Sequence, residues 1–91
     1  MTITLVGIAF DHHHYDPRGD VLYLSVGEPR EAAHGLETDE GHAVEYDAEW
    51  RVIGLTLLNV RWTLEHDGAL TLTWPPVRLE PEQLDAALVA A

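Results

Sequence analysis

The chain has 91 residues and a mass of 10.2 kDa, which predicts one domain, residues 1–91, with one small core. Sixteen Asp and Glu residues against five Arg and no Lys give a net charge of −11, which argues against nucleic-acid binding because phosphates would be repelled. The chain has no Cys, so disulfides, thiolate metal sites and cysteine nucleophiles are excluded.

The apolar stretch near the start of the chain, residues 3–10, does not resemble a targeting segment. The first cationic side chain is Arg18, and acidic and histidine residues follow the stretch instead of a cleavage site. It is also much shorter than the roughly 20 apolar residues that a membrane helix needs. We therefore expect a soluble, cytoplasmic protein that does not interact with membranes.

Alternating apolar and polar residues predict β-strands through the first part of the chain. A strand over residues 2–10 changes parity beside Gly7, which indicates a bulge. Residues 16–19, Asp-Pro-Arg-Gly, match a type I turn, and a strand over residues 21–26 completes a hairpin. Asp16 is interpreted as the residue that caps this turn, and Asp20 as the residue that closes the hairpin.

Three further strands are predicted in the middle of the chain. Residues 32–38 and 42–46 form strands on either side of an Asp-Glu-Gly turn. Residues 51–60 are apolar on both parities, which predicts a central strand with both faces covered.

The last third of the chain predicts an added hairpin and a helix. The hairpin spans residues 61–74, with strands at 61–65 and 69–74 on either side of an Asp-Gly turn, and two prolines end it. From Pro81 to Ala91 the apolar residues recur at helical spacing, and Pro81 suits the first position of a helix.

These elements predict a mainly β (α+β) fold. The expected architecture is a single antiparallel meander sheet of about six or seven strands with a short C-terminal helix packed on one face. Because the core is small and a sheet edge is exposed, we also expect a homodimer formed by pairing of strands or sheets.

Several short motifs between Tyr15 and Leu58 resemble the domain of unknown function 2283 (DUF2283) family of small bacterial proteins. The matching residues are Tyr15-Asp16-Pro17, Asp20, Leu22-Tyr23-Leu24, Asp39, Gly41, Val44, Tyr46-Asp47, Arg51-Val52, Gly54-Leu55 and Leu57-Leu58. The resemblance implies a family-like core over residues 15–58. It implies no established activity, but some members of the family are encoded beside small bacterial toxins, which favours a partner-binding, antitoxin-like role.

Acidic residues in the middle of the chain are the candidate partner-binding site. They are Glu37, Asp39, Glu40, Glu45, Asp47 and Glu49. Such a group could bind a basic protein partner, and it could equally be a solvated rim of the sheet.

A histidine cluster is the candidate metal site. On an extended chain His12, His14 and Asp16 project to the same side, and neighbouring imidazoles can chelate Zn or Ni. The alternative is an exposed linker whose histidines bind Zn or Ni only adventitiously, because a structural zinc site needs four ligands. No cofactor is expected.

Catalysis has little support in the sequence. Ser25 is the one serine and no base is evident beside it, and no nucleotide-binding motif is present. The sequence thus favours a non-enzymatic protein-interaction module, with a metal-binding module and a small-molecule binder or minor enzyme as the alternatives.

Overall fold

The structure is a computed structural model that describes residues 2–5, 7–28, 30–73 and 76–88. The strands in chain order are β1 Ile3–Leu5, β2 Ile8–Phe10, β3 His12–Asp16, β4 Val21–Ser25, β5 His34–Glu37, β6 Ala43–Tyr46, β7 Val52–Leu58, β8 Leu70–Leu72 and β9 Val77–Leu79. Helix α1 spans Val60–Asp67, and helix α2, Pro81–Leu84, continues as a 3-10 turn over Asp85–Leu88.

Five of the strands form one antiparallel sheet in the order β3-β4-β7-β6-β5. The mainly β class, the antiparallel pairing and the C-terminal helix are confirmed, and β7 lies at the centre of the sheet as predicted. The single meander is corrected in two respects. Strands β1 and β2 and strands β8 and β9 form separate two-stranded sheets, and β4 pairs with β7 instead of with β5.

The predicted first strand is a hairpin instead of one bulged strand. Ile3 pairs with Phe10 and Leu5 with Ile8, so the chain reverses around Gly7, whose φ of 74° is easily reached only by glycine. The change of parity in the sequence arises from this reversal, because each short strand directs its own set of side chains into the core.

The predicted strand over residues 61–65 is also wrong, because this segment belongs to α1. The Asp-Gly pair that suggested a hairpin ends the helix instead, where the Gly68 N–H donates to the Leu64 carbonyl at 3.1 Å. Of the added hairpin 61–74, only the second strand remains, as β8, and its partner is β9. Residues 74 and 75, and 89–91 of the predicted helix, lie outside the described residues.

The core lies on one face of the five-stranded sheet. Leu22 and Leu24 of β4 are buried beside Leu57 and Leu55 of β7, while Tyr23, on the opposite face, is 45% exposed. Side chains from the two-stranded sheets β1–β2 and β8–β9, from α1 and from the C-terminal helical segment complete the same core. The expectation that both faces of β7 are covered is therefore wrong, since the second layer covers one face only.

None of the helices in the described part of the chain is long and apolar enough to cross a membrane. The cytoplasmic location stays a prediction.

Candidate functional site

Asp16 and Asp20 lie at the two ends of the turn between β3 and β4. A carboxylate oxygen of Asp16 accepts the Arg18 N–H at 3.0 Å, which confirms its role in the turn. Asp20 does something that the sequence did not predict: its carboxylate accepts the N–H groups of Arg61 at 2.9 Å and Trp62 at 3.0 Å. Asp20 therefore caps α1 from 41 residues away in sequence.

Tyr15 completes this cap. Its hydroxyl donates to Asp20 at 2.7 Å. Two effects raise the pKa of the phenol: burial is the larger, and the hydrogen bond to Asp20 is the second. Burial alone would raise the pKa of Asp20 too, but the N–H groups of Trp62 and Arg61 and the Tyr15 hydroxyl together lower it. Each of these groups is satisfied within the fold, so the Tyr15–Asp20 junction is a structural feature.

Asp47 plays a similar local role in the turn between β6 and β7. Its carboxylate accepts the N–H groups of Glu49 and Arg51, both at 2.9 Å, and the Arg51 Nε at 2.8 Å. These bonds lower the pKa of Asp47 and support Trp50, which has a φ of 62°. Asp47 is thus largely used by the fold, although it belongs to the predicted partner-binding set.

The other acids of the predicted set are dispersed. Glu40 accepts the Thr73 N–H and hydroxyl at 3.0 and 2.7 Å, Glu45 is half-buried, and Glu49 lies 3.4 Å from Arg51. Glu37 and Asp39 are exposed, and no described cation lies within ion-pair distance of either. Glu37 and Asp39 therefore lie beside the turn between β5 and β6, whereas Asp47 and Glu49 lie in the turn between β6 and β7.

Strand β5 is an open edge of the sheet, and its backbone has groups directed to solvent. The Thr38 N–H donates to the His42 carbonyl at 2.7 Å, so alternation along the strand directs the backbone of Leu36 toward β6. By the same alternation, the N–H and C=O groups of Gly35 and Glu37 point away from β6.

Exposed apolar and aromatic side chains lie on or beside this edge strand. Leu36 is 41% exposed, and Trp50 is 54% exposed and stacks on His34 with ring centroids 3.7 Å apart. We call Gly35, Leu36, Glu37, Asp39 and Trp50 the acidic edge. It combines the outer side of an edge strand, exposed apolar side chains and acidic side chains without a described cationic partner.

The candidate metal ligands lie on the other edge strand, β3. His12, His14 and Asp16 share the outer face of the sheet, as the predicted extended conformation requires, and His14 stacks loosely on Tyr23. Among the residues that the structure describes, no three His, Asp or Glu side chains are grouped closely enough to hold a metal ion. The metal hypothesis therefore stays a prediction limited to weak binding by the histidines.

A cavity of about 300 Å³ lies between the β5–β6 turn, the end of β7, helix α1 and strands β8 and β9. His42 lines it and is only 4% exposed. Its Nδ1 accepts the Leu58 N–H at 3.0 Å, and burial lowers its pKa more than nearby Glu40 raises it. Sequence reasoning missed this histidine, because its environment depends on a backbone group on another strand.

Three comparisons with known proteins bear on this chain. A search of curated proteins and a search of solved structures each found no match. Residues 12–61 match the model of DUF2283, described as a protein family of unknown function. This match covers β3 to the start of α1 and more than half of the chain, so the chain belongs to the DUF2283 family.

Proposed function

We propose that the protein is a non-enzymatic interaction module that binds a basic protein partner through the acidic edge. The observation that carries this proposal is the edge strand β5, where Glu37 and, in the turn that follows, Asp39 are exposed and have no described cationic partner. The residues that carry the family resemblance include Asp20 and Asp47, whose carboxylates are used by the fold and leave the binding role to other positions.

An added strand is the binding mode that suits this edge. The outward N–H and C=O groups of Gly35 and Glu37 would pair with the backbone of a partner strand. Leu36 and Trp50 would supply apolar contacts, since exposed aromatic and aliphatic side chains are common anchors of interfaces.

The net charge of this chain then determines which partner strand is preferred. The net charge of −11 favours a basic partner and acts over a Debye length of roughly 8 Å at physiological salt. A small basic toxin that holds a nucleic acid would fit these requirements, and the antitoxin-like form of the proposal is that this chain covers such a surface.

The edge can be tested with a defined probe. An eight-residue peptide of alternating Arg and Val should bind the protein, whereas the same peptide with Glu in place of Arg should not. The variant Glu37→Gln/Asp39→Asn should weaken binding by about tenfold and flatten its salt dependence. Glu82→Gln/Asp85→Asn is the matched control, because it removes the same charge from exposed positions near the C-terminus.

Equal weakening of peptide binding by both double variants would show that net charge alone attracts the peptide. It would contradict the proposal that the acidic edge is the binding site. The variant Gly35→Pro provides a second test, because it removes an N–H that faces the open edge. It should abolish peptide binding while the circular dichroism spectrum stays unchanged.

The antitoxin-like form needs a natural partner. Co-expression with the protein encoded by the neighbouring gene should give a complex that dissociates as salt is raised. A neighbouring product that is not small and basic, together with no co-purification at low salt, contradicts this form of the proposal.

The homodimer stays a prediction. The edge strands β3 and β5 of the five-stranded sheet are the places where strand pairing could form it. Light scattering at several concentrations checks it, and a monomer at high micromolar concentration contradicts it.

A further inference from the structure

One ring nitrogen of His42, a residue that lines the cavity, has no hydrogen-bond partner among the described residues. Because the Leu58 N–H donates to Nδ1, the proton of the neutral imidazole lies on Nε2. No described residue accepts a hydrogen bond from Nε2, yet no described buried side-chain nitrogen or oxygen lacks a partner. Nε2 is therefore reached by solvent, and the cavity that His42 lines is the open space beside the ring.

This arrangement restricts what His42 can do. A histidine whose Nδ1 accepts a backbone N–H has no lone pair left on Nε2 while it is neutral, so it is neither a metal ligand nor a general base there. It is a fixed donor, and the group that satisfies it must be an acceptor oxygen. The terminal nitrogens of Arg78, whose Nε donates to Glu80 at 2.8 Å, add further donors at the rim.

Two acidic residues also line the cavity. Asp67, the last residue of α1, is exposed and lines the cavity, and no described cation pairs with it. Glu40, held by Thr73, adds a second negative charge. Among the described residues that line the cavity, two carboxylates and one arginine, which is already paired with Glu80, give a site that attracts a cation.

We propose that the His42 cavity binds a cation that also carries a carbonyl oxygen, the combination found in a basic amino-acid residue. The carbonyl accepts from His42 Nε2, and the ammonium or guanidinium group lies between Asp67 and Glu40. The volume of about 300 Å³ is at the lower end for ligand pockets and suits a group of this size. The ligand can be a free small molecule or a basic residue of a protein, and the site does not require the acidic edge.

Three probes distinguish the contribution of the carbonyl oxygen from that of the cation. N-acetyl-L-arginine methylamide carries both, N-acetyl-L-norleucine methylamide carries only the carbonyl groups, and methylguanidinium carries only the cation. In two-dimensional NMR titrations the arginine probe should shift the His42 ring, Leu58 amide and Asp67 amide signals. Each of the other probes should bind about tenfold more weakly, since each lacks one of the two contacts.

The variant Asp67→Asn should weaken the arginine probe by about threefold to tenfold, whereas Asp85→Asn, an exposed acid away from the cavity, should not. His42→Asn should weaken all carbonyl-bearing probes, and if that variant does not fold, the Asp67→Asn result decides. Equal binding of all three probes, or shifts that Asp67→Asn leaves unchanged, would overturn the proposal.

The source of the ligand is decided with the alternating Arg and Val peptide. Cavity shifts with the arginine probe but not with the peptide indicate a small-molecule site, and cavity shifts with both indicate a basic residue of a partner. No cavity shift with the arginine probe contradicts the site.

Discussion

Tyr15 and His42 are both 4% exposed, but their side chains differ in how fully they are hydrogen-bonded within the fold. The Tyr15 hydroxyl donates to Asp20, and the Asp20 carboxylate also accepts two backbone N–H groups of α1. His42 uses only one ring nitrogen within the described part of the chain, and its ring lines a cavity. The first region is closed by its own hydrogen bonds, and the second is left open.

This difference separates polar residues that stabilise the fold from those available to a ligand. A buried polar group without a partner costs free energy, so one that is kept open toward solvent is a candidate for binding. The same criterion separates Asp20 and Asp47 from Glu37 and Asp39. Acidity alone does not distinguish Asp47 from Glu37 and Asp39, which the sequence placed in one candidate set.

The largest effect is expected at Asp20. Asp20→Ala removes the α1 cap and the Tyr15 partner and places Ala at a φ of 55°, which should lower the free energy of unfolding by about 2 kcal/mol or more. Urea denaturation measures this change. Asp85→Ala, at an exposed position, is the control and should cost less than about 0.5 kcal/mol. Equal losses in the two variants would refute the cap.

The charge of Asp20 should also affect the stability of the fold at acidic pH. Because its pKa is lowered in the fold, its contribution is present above the ordinary Asp pKa and is lost as pH falls through the folded value. Asp20→Asn, which tolerates the left-handed conformation, should therefore flatten the loss of stability below about pH 4. Asp47, Glu40 and Asp11 contribute to the slope that remains, since their pKa values are lowered too. An unchanged slope in the variant contradicts this assignment.

His42 should produce a smaller effect nearer neutral pH. Its lowered pKa means that the unfolded chain binds a proton first, so stability should fall as pH drops below about 6.5. The slope levels off once pH passes below the folded pKa. His42→Asn should remove this part of the pH profile, and thermal unfolding across pH 5 to 8, about the range in which histidines titrate, measures it. A profile identical to that of the unsubstituted chain would show that His42 is not buried in the neutral form.

The histidines of β3 should give the smallest effect. Zn or Ni should bind His12 and His14 weakly, because an exposed pair provides no closed coordination shell, and the melting temperature should rise by less than about 2 °C. Calorimetry with stoichiometric Zn, with His14→Ala as the comparison, tests this. Nanomolar binding with a large melting shift that His14→Ala abolishes would favour a metal-binding module instead.

Features encoded within a few residues were predictable from the sequence. The turn at Asp16, the central strand β7 and the helix that begins at Pro81 all follow from local patterns, and the structure confirms them. Helix α1 did not follow, since its segment has no capping side chain of its own and Asn59 makes no side-chain cap bond. The cap comes from Asp20, which only the tertiary fold brings close.

The candidate site shows the same limit. Sequence identified an acidic group but could not show that Glu40 and Asp47 are used by turns and strand ends while Glu37 and Asp39 are not. It gave no reason to choose His42 among six histidines, because that choice depends on the Leu58 N–H 16 residues away.

The most direct test of the contrast between the closed junction and the open cavity is the protonation state of His42, read by long-range proton–nitrogen NMR of the histidine rings. At pH 7 the ring should be neutral, with its proton on Nε2 and with Nδ1 coupled to the Leu58 N–H across a hydrogen bond. Its pKa should lie below the ordinary histidine value because the ring is buried. A His42 ring that is charged at pH 7, or that carries its proton on Nδ1, would contradict the account.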